Sequence, residues 1–189
     1  MHVQQFVMAY GVEQDRLRAL LPEGFRSLRL VLRINAEVRD GKTAWVEFNT
    51  AVELEGKRGW LNIGHWDDAA FTVDGKTTRF ETGLLTISFT GVGIQGGCPA
   101  EKDNDGCFFL DEEEALRPAE AITGSKEFCD CEFAWHIDGG AHGVSIGKTL
   151  PAIPTEQKNH YPRQAFTVEN AAVIPCEQVL GTYTVAFER

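Results

Sequence analysis

The sequence predicts a mainly β protein (α+β by strict count) with one or two short helices. Three observations carry that prediction. Asp-Gly occurs four times, at Asp40-Gly41, Asp74-Gly75, Asp105-Gly106 and Asp138-Gly139. Asp-Gly is a strong hairpin signal, because both central residues of a type I′ turn need positive φ. The stretches between these pairs alternate apolar and polar residues with the period of a half-buried strand, and helical periodicity is confined to short windows. So many strands joined by short turns favour a barrel or a sandwich. The 189 residues suit one domain spanning 1–189 that buries its core without disulfides or metal.

Taken in order, Val3–Ala9 reads as the first strand. Gln14–Leu21 follows as a helix, with Leu17, Leu20 and Leu21 on one face. Glu13 and Asp15 suit the start of its dipole, and Pro22 and Gly24 stop it. From Leu28 the residues Leu28, Leu30, Leu32, Ile34, Ala36 and Val38 share a face. Arg29, Val31, Arg33, Asn35, Glu37 and Arg39 form the opposite, polar one. Beyond Asp40-Gly41 the pattern resumes, with Ala44, Val46, Phe48 and Val52 set against Trp45, Glu47, Asn49 and Glu53. Leu61–His65, Ala70–Val73, Lys76–Phe80, Leu84–Thr90 and Gly106–Leu110 are the next strands. The polar stretch Gly96–Gly106 reads as a surface loop. A second helix is expected over Glu112–Ala121, limited by Pro118. Phe128–Ile137, Gly143–Ile146, Gln164–Val173 and Gln178–Phe187 complete the set of strands.

Composition narrows the function. Hydrophobic residues make up 43% and the net charge is −10. Phosphate contacts need clustered Lys and Arg, so a nucleic-acid partner is not expected. No stretch approaches the ~20 apolar residues of a membrane helix. Met1–Tyr10 has no basic region followed by a long apolar run, so no signal peptide is expected. The five cysteines are an odd number in a chain of this length and read as free thiols of a reducing compartment. A cytoplasmic location is the expectation.

Three constellations could carry chemistry. Cys129 and Cys131, with His136, His142, Cys98 and Cys107, could form a metal site. Zinc sites, however, usually have two to four residues between their cysteines, whereas only Asp130 stands between Cys129 and Cys131. Phe133, Trp135 and Ile137 continue the Cys129/Cys131 face, so these thiols read as small core residues and no metal is expected. Ser nucleophilic catalysis has no G-x-S-x-G elbow to stand on, and His65 beside Trp66-Asp67-Asp68 reads as a strand-end histidine. The third constellation is a lysine with a carboxylate. Lys42, Lys57 and Lys76 fall in turns and read as solvated. Lys126 opens the strand through Ile137, and spacing alone reads it as an exposed strand end.

A resemblance changes the weight of that lysine. Tyr10-Gly-Val-Glu-Gln-Asp-Arg-Leu-Arg-Ala-Leu-Leu-Pro22, Phe80-Glu81-Thr-Gly-Leu-Leu-Thr-Ile-Ser-Phe-Thr-Gly-Val92, and Phe109-Leu110-Asp111-Glu112 followed by Glu120 and Lys126 together resemble the acetoacetate decarboxylase family. They match its first strand and helix, its acidic-residue strand, and its "Y-L-D" strand with the lysine segment. The resemblance implies an antiparallel cone-like β-barrel around an apolar cavity, commonly assembled into homo-oligomers. It places Lys126 on the Schiff-base lysine and Glu81 on the active-site glutamate. It also shows departures. Pro118-Ala-Glu120 stands where the family has Gly-Arg-Glu, Ser125 precedes the lysine in place of proline, and Glu127 replaces a second lysine.

What the resemblance implies chemically is a lyase acting on a small keto acid, with Lys126 as nucleophile and Glu81 orienting it or moving protons. An aldolase- or dehydratase-like reaction on the same imine is a related expectation. The iminium is itself the electron sink, so no metal or organic cofactor is implied. A lysine attacks a carbonyl only as the free amine, and a carboxylate such as Glu127 stabilises a neighbouring ammonium, unless strand alternation turns it to the other face. The rival expectation is a barrel that binds a small apolar or carboxylate ligand without catalysis.

Overall fold

In the computed structural model, described for residues 1–96, 107–110, 113–116, 125–137, 140–143 and 161–189, the chain forms one sheet. Its strands are β1 (His2–Gly11), β2 (Arg26–Arg39), β3 (Thr43–Leu54), β4 (Lys57–Trp66), β5 (Ala70–Asp74) and β6 (Thr77–Glu81). The chain continues through β7 (Leu85–Gly96), β8 (Cys107–Leu110), β9 (Glu113–Leu116), β10 (Lys126–Ile137), β11 (Gly140–Gly143) and β12 (Gln178–Glu188). Two short helices, α1 (Gln14–Arg18) and α2 (Val168–Ala172), accompany them. The strand order is β5-β6-β7-β10-β12-β1-β2-β3-β4-β8-β9, with β11 beside β10. Neighbours are antiparallel except for β4 and β8.

The turns explain how the sheet is threaded. Asp40 and Gly41 have φ of 50° and 66°, and Glu55 and Gly56 have 50° and 81°. These are the left-handed values that a tight hairpin turn requires. At Asp74-Gly75 only the glycine is left-handed (φ 58°), because Asp74 is still paired with Thr77 as the last residue of its strand. The Asp105-Gly106 and Asp138-Gly139 pairs lie outside the described residues, as does most of the Gly96–Gly106 stretch.

The sheet curls into a half-barrel, bringing edge strand β5 back against β3. Its concave face holds the main core. Phe6, Met8 and Tyr10 of β1 meet Leu32 and Ile34 of β2, Phe48 of β3, Phe80 of β6 and Trp135 of β10 there. The rings interlock, with Phe48 and Trp135 at 4.6 Å and Phe6 and Phe80 edge-on at 5.3 Å. Leu17 of α1 with Leu20 just beyond it, and Ala171 and Ala172 of α2, close the cup. Glu13 caps α1 by accepting the Arg16 N–H at 2.7 Å. No helix among the described residues is long and apolar enough to cross a membrane.

Two elements differ from expectation. The helix expected over Glu112–Ala121 is a strand at Glu113–Leu116, which pairs antiparallel with β8; cross-strand pairing there outweighs helix propensity, and residues 117–121 lie outside the described set. The strand expected over Gln164–Val173 contains helix α2 instead. Thr167 starts it, its hydroxyl accepting the Asn170 N–H at 3.1 Å, and this cap overrides the apolar alternation. The expected strand Gly143–Ile146 coincides with β11 only at Gly143, since residues 144–146 are not described. The register of β2 against β3 also shifts between Ser27 and Leu32, so Leu30 is 41% exposed and Val31 is buried on the other face.

Candidate functional site

Strand alternation divides β10 between the two faces of the sheet. Cys129, Trp135 and Ile137 are buried in the main core, with Cys131 and Phe133 packed against it. Both thiols are free. Burial, with the Glu127 and Asp130 carboxylates adding to it, pushes Cys129 up to about 11; burial and the neighbouring Cys129 push Cys131 up to about 12. These are core thiols in a setting that suppresses thiolate formation.

Lys126 and Phe128 point to the opposite face, where they line an open trough of about 760 Å³. Val7 and Ala9 of β1 and Leu180 of β12 supply its apolar floor. Lys126 is half-buried. Its ammonium lies 4.7 Å from the centre of the Tyr183 ring and 5.3 Å from that of Phe128. The negative ring faces hold a cation there. Arg29 and Arg33 of β2 line the same trough and lie over Trp60, at 5.1 and 3.6 Å from its ring. Glu177, just ahead of β12, contributes a carboxylate to the lining.

Glu127 is turned away from this trough. Its carboxylate accepts the Gly93 N–H of β7 at 2.9 Å. It lies so close over Gly91 that a Cβ there would stand 2.6 Å from its Oε1. The β7–β10 register shifts at this point, around Gly93 with φ 75°. Glu127 therefore lies on the other side of the sheet from the Lys126 amine.

The structure does not bring Glu81 to Lys126. Glu81 pairs with Thr86 at the start of β7, whereas Lys126 pairs with Gly96 at its end. The Glu81 carboxylate is exposed and bound to Arg79 at 2.8 Å. The register of β6 and β10 on β7 keeps the two residues at opposite ends of that strand.

The middle of the face of β2 and β3 that reads as polar in the sequence, at Asn35, Glu37, Glu47 and Asn49, is buried as well. Glu37 is 2% exposed and accepts hydrogen bonds from Arg189 at 2.9 and 3.1 Å and from Arg39 at 2.9 Å. Burial alone would raise its pKa; the two guanidiniums outweigh this and hold it below the ordinary value of 4.5. Glu47, 1% exposed, accepts the Trp45 indole N–H at 2.7 Å. Arg29, Arg33 and Trp60 are the site residues that sequence reading misses. The signal for the two arginines is their alternation on the non-core face of β2; nothing in the sequence says that this face lines a trough.

No protein-family model matches the chain, and no curated protein matches it by sequence. Solved structures match its fold. Acetoacetate decarboxylase from Legionella pneumophila subsp. pneumophila str. Philadelphia 1 aligns with a TM-score of 0.58 and 11% identity, over 98% of this chain and 81% of that one. The enduracididine biosynthesis enzyme MppR complexed with pyruvate gives 0.53 and 9%, over 98% and 84%. A further acetoacetate decarboxylase structure gives 0.51 and 12%, over 98% and 82%. The chain thus has the acetoacetate decarboxylase-like fold.

Proposed function

We propose that this chain is a Schiff-base-forming lyase that acts on a small keto acid through Lys126. The observation that carries the reading is the trough, in which one lysine amine faces two guanidiniums across an apolar floor. The fold supports it, since this fold includes acetoacetate decarboxylase and an enzyme complexed with pyruvate. In the proposed reaction the Lys126 nitrogen adds to the substrate carbonyl carbon, and the carbonyl oxygen leaves as water. For a β-keto acid the protonated imine draws the electrons of the bond to the carboxylate, so that CO₂ departs and an enamine remains; protonation of its carbon and hydrolysis of the imine return the ketone and the Lys126 amine. Where the carbon beside the imine carries hydrogen, loss of that proton to water gives the same enamine, whose carbon adds to a second carbonyl. Glu177, the carboxylate of the lining, stands beside Gly11, six residues ahead of the Tyr183 whose ring holds the amine, so neither it nor Glu81 is given the proton-moving role.

The test is borohydride reduction in the presence of acetoacetate, pyruvate and related keto acids, followed by peptide mass mapping. The proposal expects a reduced adduct on Lys126 and none in Lys126→Ala. Adducts spread over surface lysines would overturn it. The separation of Glu81 from Lys126 favours one rival, a binding barrel without catalysis. That reading expects saturable ligand binding with no adduct.

A further inference from the structure

Resting on the Schiff-base reading, we infer that the substrates of this trough carry an anionic group at the far end of an apolar spacer, well separated from the reacting carbonyl. The amine and the guanidiniums stand at different places on the sheet. The Lys126 ammonium is held over Tyr183 of β12. Arg29 and Arg33 rise from β2 and lean over Trp60, which belongs to β4. In the strand order, β1 separates β12 from β2. Two interstrand spacings make roughly 10 Å, and Arg33 pairs with Ala9, two residues along β1 from the Val7 that pairs with Tyr183, which adds to the separation. The floor between the two ends is Val7, Ala9 and Leu180, with no charged group among the three.

A β-keto acid cannot span that floor. Its carboxylate is one methylene from its carbonyl, so with the carbonyl at Lys126 the carboxylate stays beside the lysine. A second anionic group of the substrate is placed at Arg29 and Arg33, whose forked donors can add a ligand anion to the contacts they already make. The apolar floor takes the carbon chain in between. The trough, of about 760 Å³, leaves room for such a chain beyond the reacting carbonyl. Carboxylate recognition and imine chemistry are in this way divided between the two walls.

The test uses methyl ketones bearing a terminal carboxylate, from acetoacetate through levulinate to longer homologues. Each is compared with the neutral methyl ketone of equal length. Borohydride trapping on Lys126 is read by peptide mapping, and melting curves confirm that each variant is folded. Trapping is expected to rise about tenfold or more from acetoacetate to the homologues that bridge the floor. The ratio of long acid to neutral ketone is expected to fall about tenfold in Arg33→Ala, with Arg33→Lys between the two. Equal trapping at every length, or a ratio unchanged in Arg33→Ala, overturns the inference while leaving the Schiff-base reading standing. If no ketone is trapped, calorimetry with long saturated carboxylates decides. Binding that weakens in Arg33→Ala supports the distal anion site and sinks the imine; absence of binding sinks both.

Discussion

Adjacent residues Lys126 and Glu127 show how one strand position decides the chemistry of a site. Alternation sends the lysine into the trough and the acid onto β7, where Gly93 binds it. Sequence spacing alone left both possibilities open. Gly91→Ala tests the arrangement, because its Cβ would meet the Glu127 carboxylate. It should lower stability by about 1–3 kcal/mol in chemical denaturation, and the Gly91→Ala/Glu127→Ala pair should recover part of that loss. A second residue-scale prediction concerns Glu37. Its folded value is held down, so its stabilisation is complete above its unfolded value and is lost as pH falls through the folded one. Arg189→Ala should cost about 3 kcal/mol at neutral pH, the low end for a broken buried pair because Arg39 remains. That cost should shrink on acidification below about 4.5. Melting curves of both proteins across the acid range check it, and a cost independent of pH would argue against the ion-pair account.

At the scale of elements, the strands were legible and the exceptions were local. The alternation from Leu28 to Val38 located β2, and Asp40-Gly41 located its turn. Periodicity could not show the register shift that exposes Leu30. Nor could it separate α2 from a strand, since Phe166 and Val168 alternate while Thr167 caps a helix of only five residues. Helix α2 docks where β4 has a glycine, and a Cβ at Gly64 would run into Val168. Gly64→Ala is therefore expected to destabilise by about 1–3 kcal/mol, with Val168→Ala restoring much of it, as read by a double-mutant cycle in denaturant. Additive losses would mean that the contact is not the cause. The thiols of β10 belong to this scale too. With Cys129 pushed up to about 11 and Cys131 to about 12, iodoacetamide at mildly alkaline pH should leave both unmodified in the native protein. It should modify them once the protein is unfolded, as peptide mapping would show.

Over the whole molecule, one curled sheet does two tasks. Its concave face packs the aromatic core and the two helices, which fixes the strands. Its other face, free of that duty across β12, β1 and β2, carries the lysine, the arginines and the trough floor. Lys126, which lines the trough, was singled out by the collinear resemblance. Its companions were not, because residues from β2, β4, β10 and β12 come together only through the strand order. The glutamate expected beside it is kept apart by the same register.

The most direct measurement of the central claim is the mass of the peptide containing Lys126 after incubation with a keto acid and borohydride. The account predicts that this peptide alone gains the reduced substrate, and that the gain disappears in Lys126→Ala. An unchanged Lys126 peptide, in protein shown by calorimetry to be saturated with the same keto acid, would contradict it.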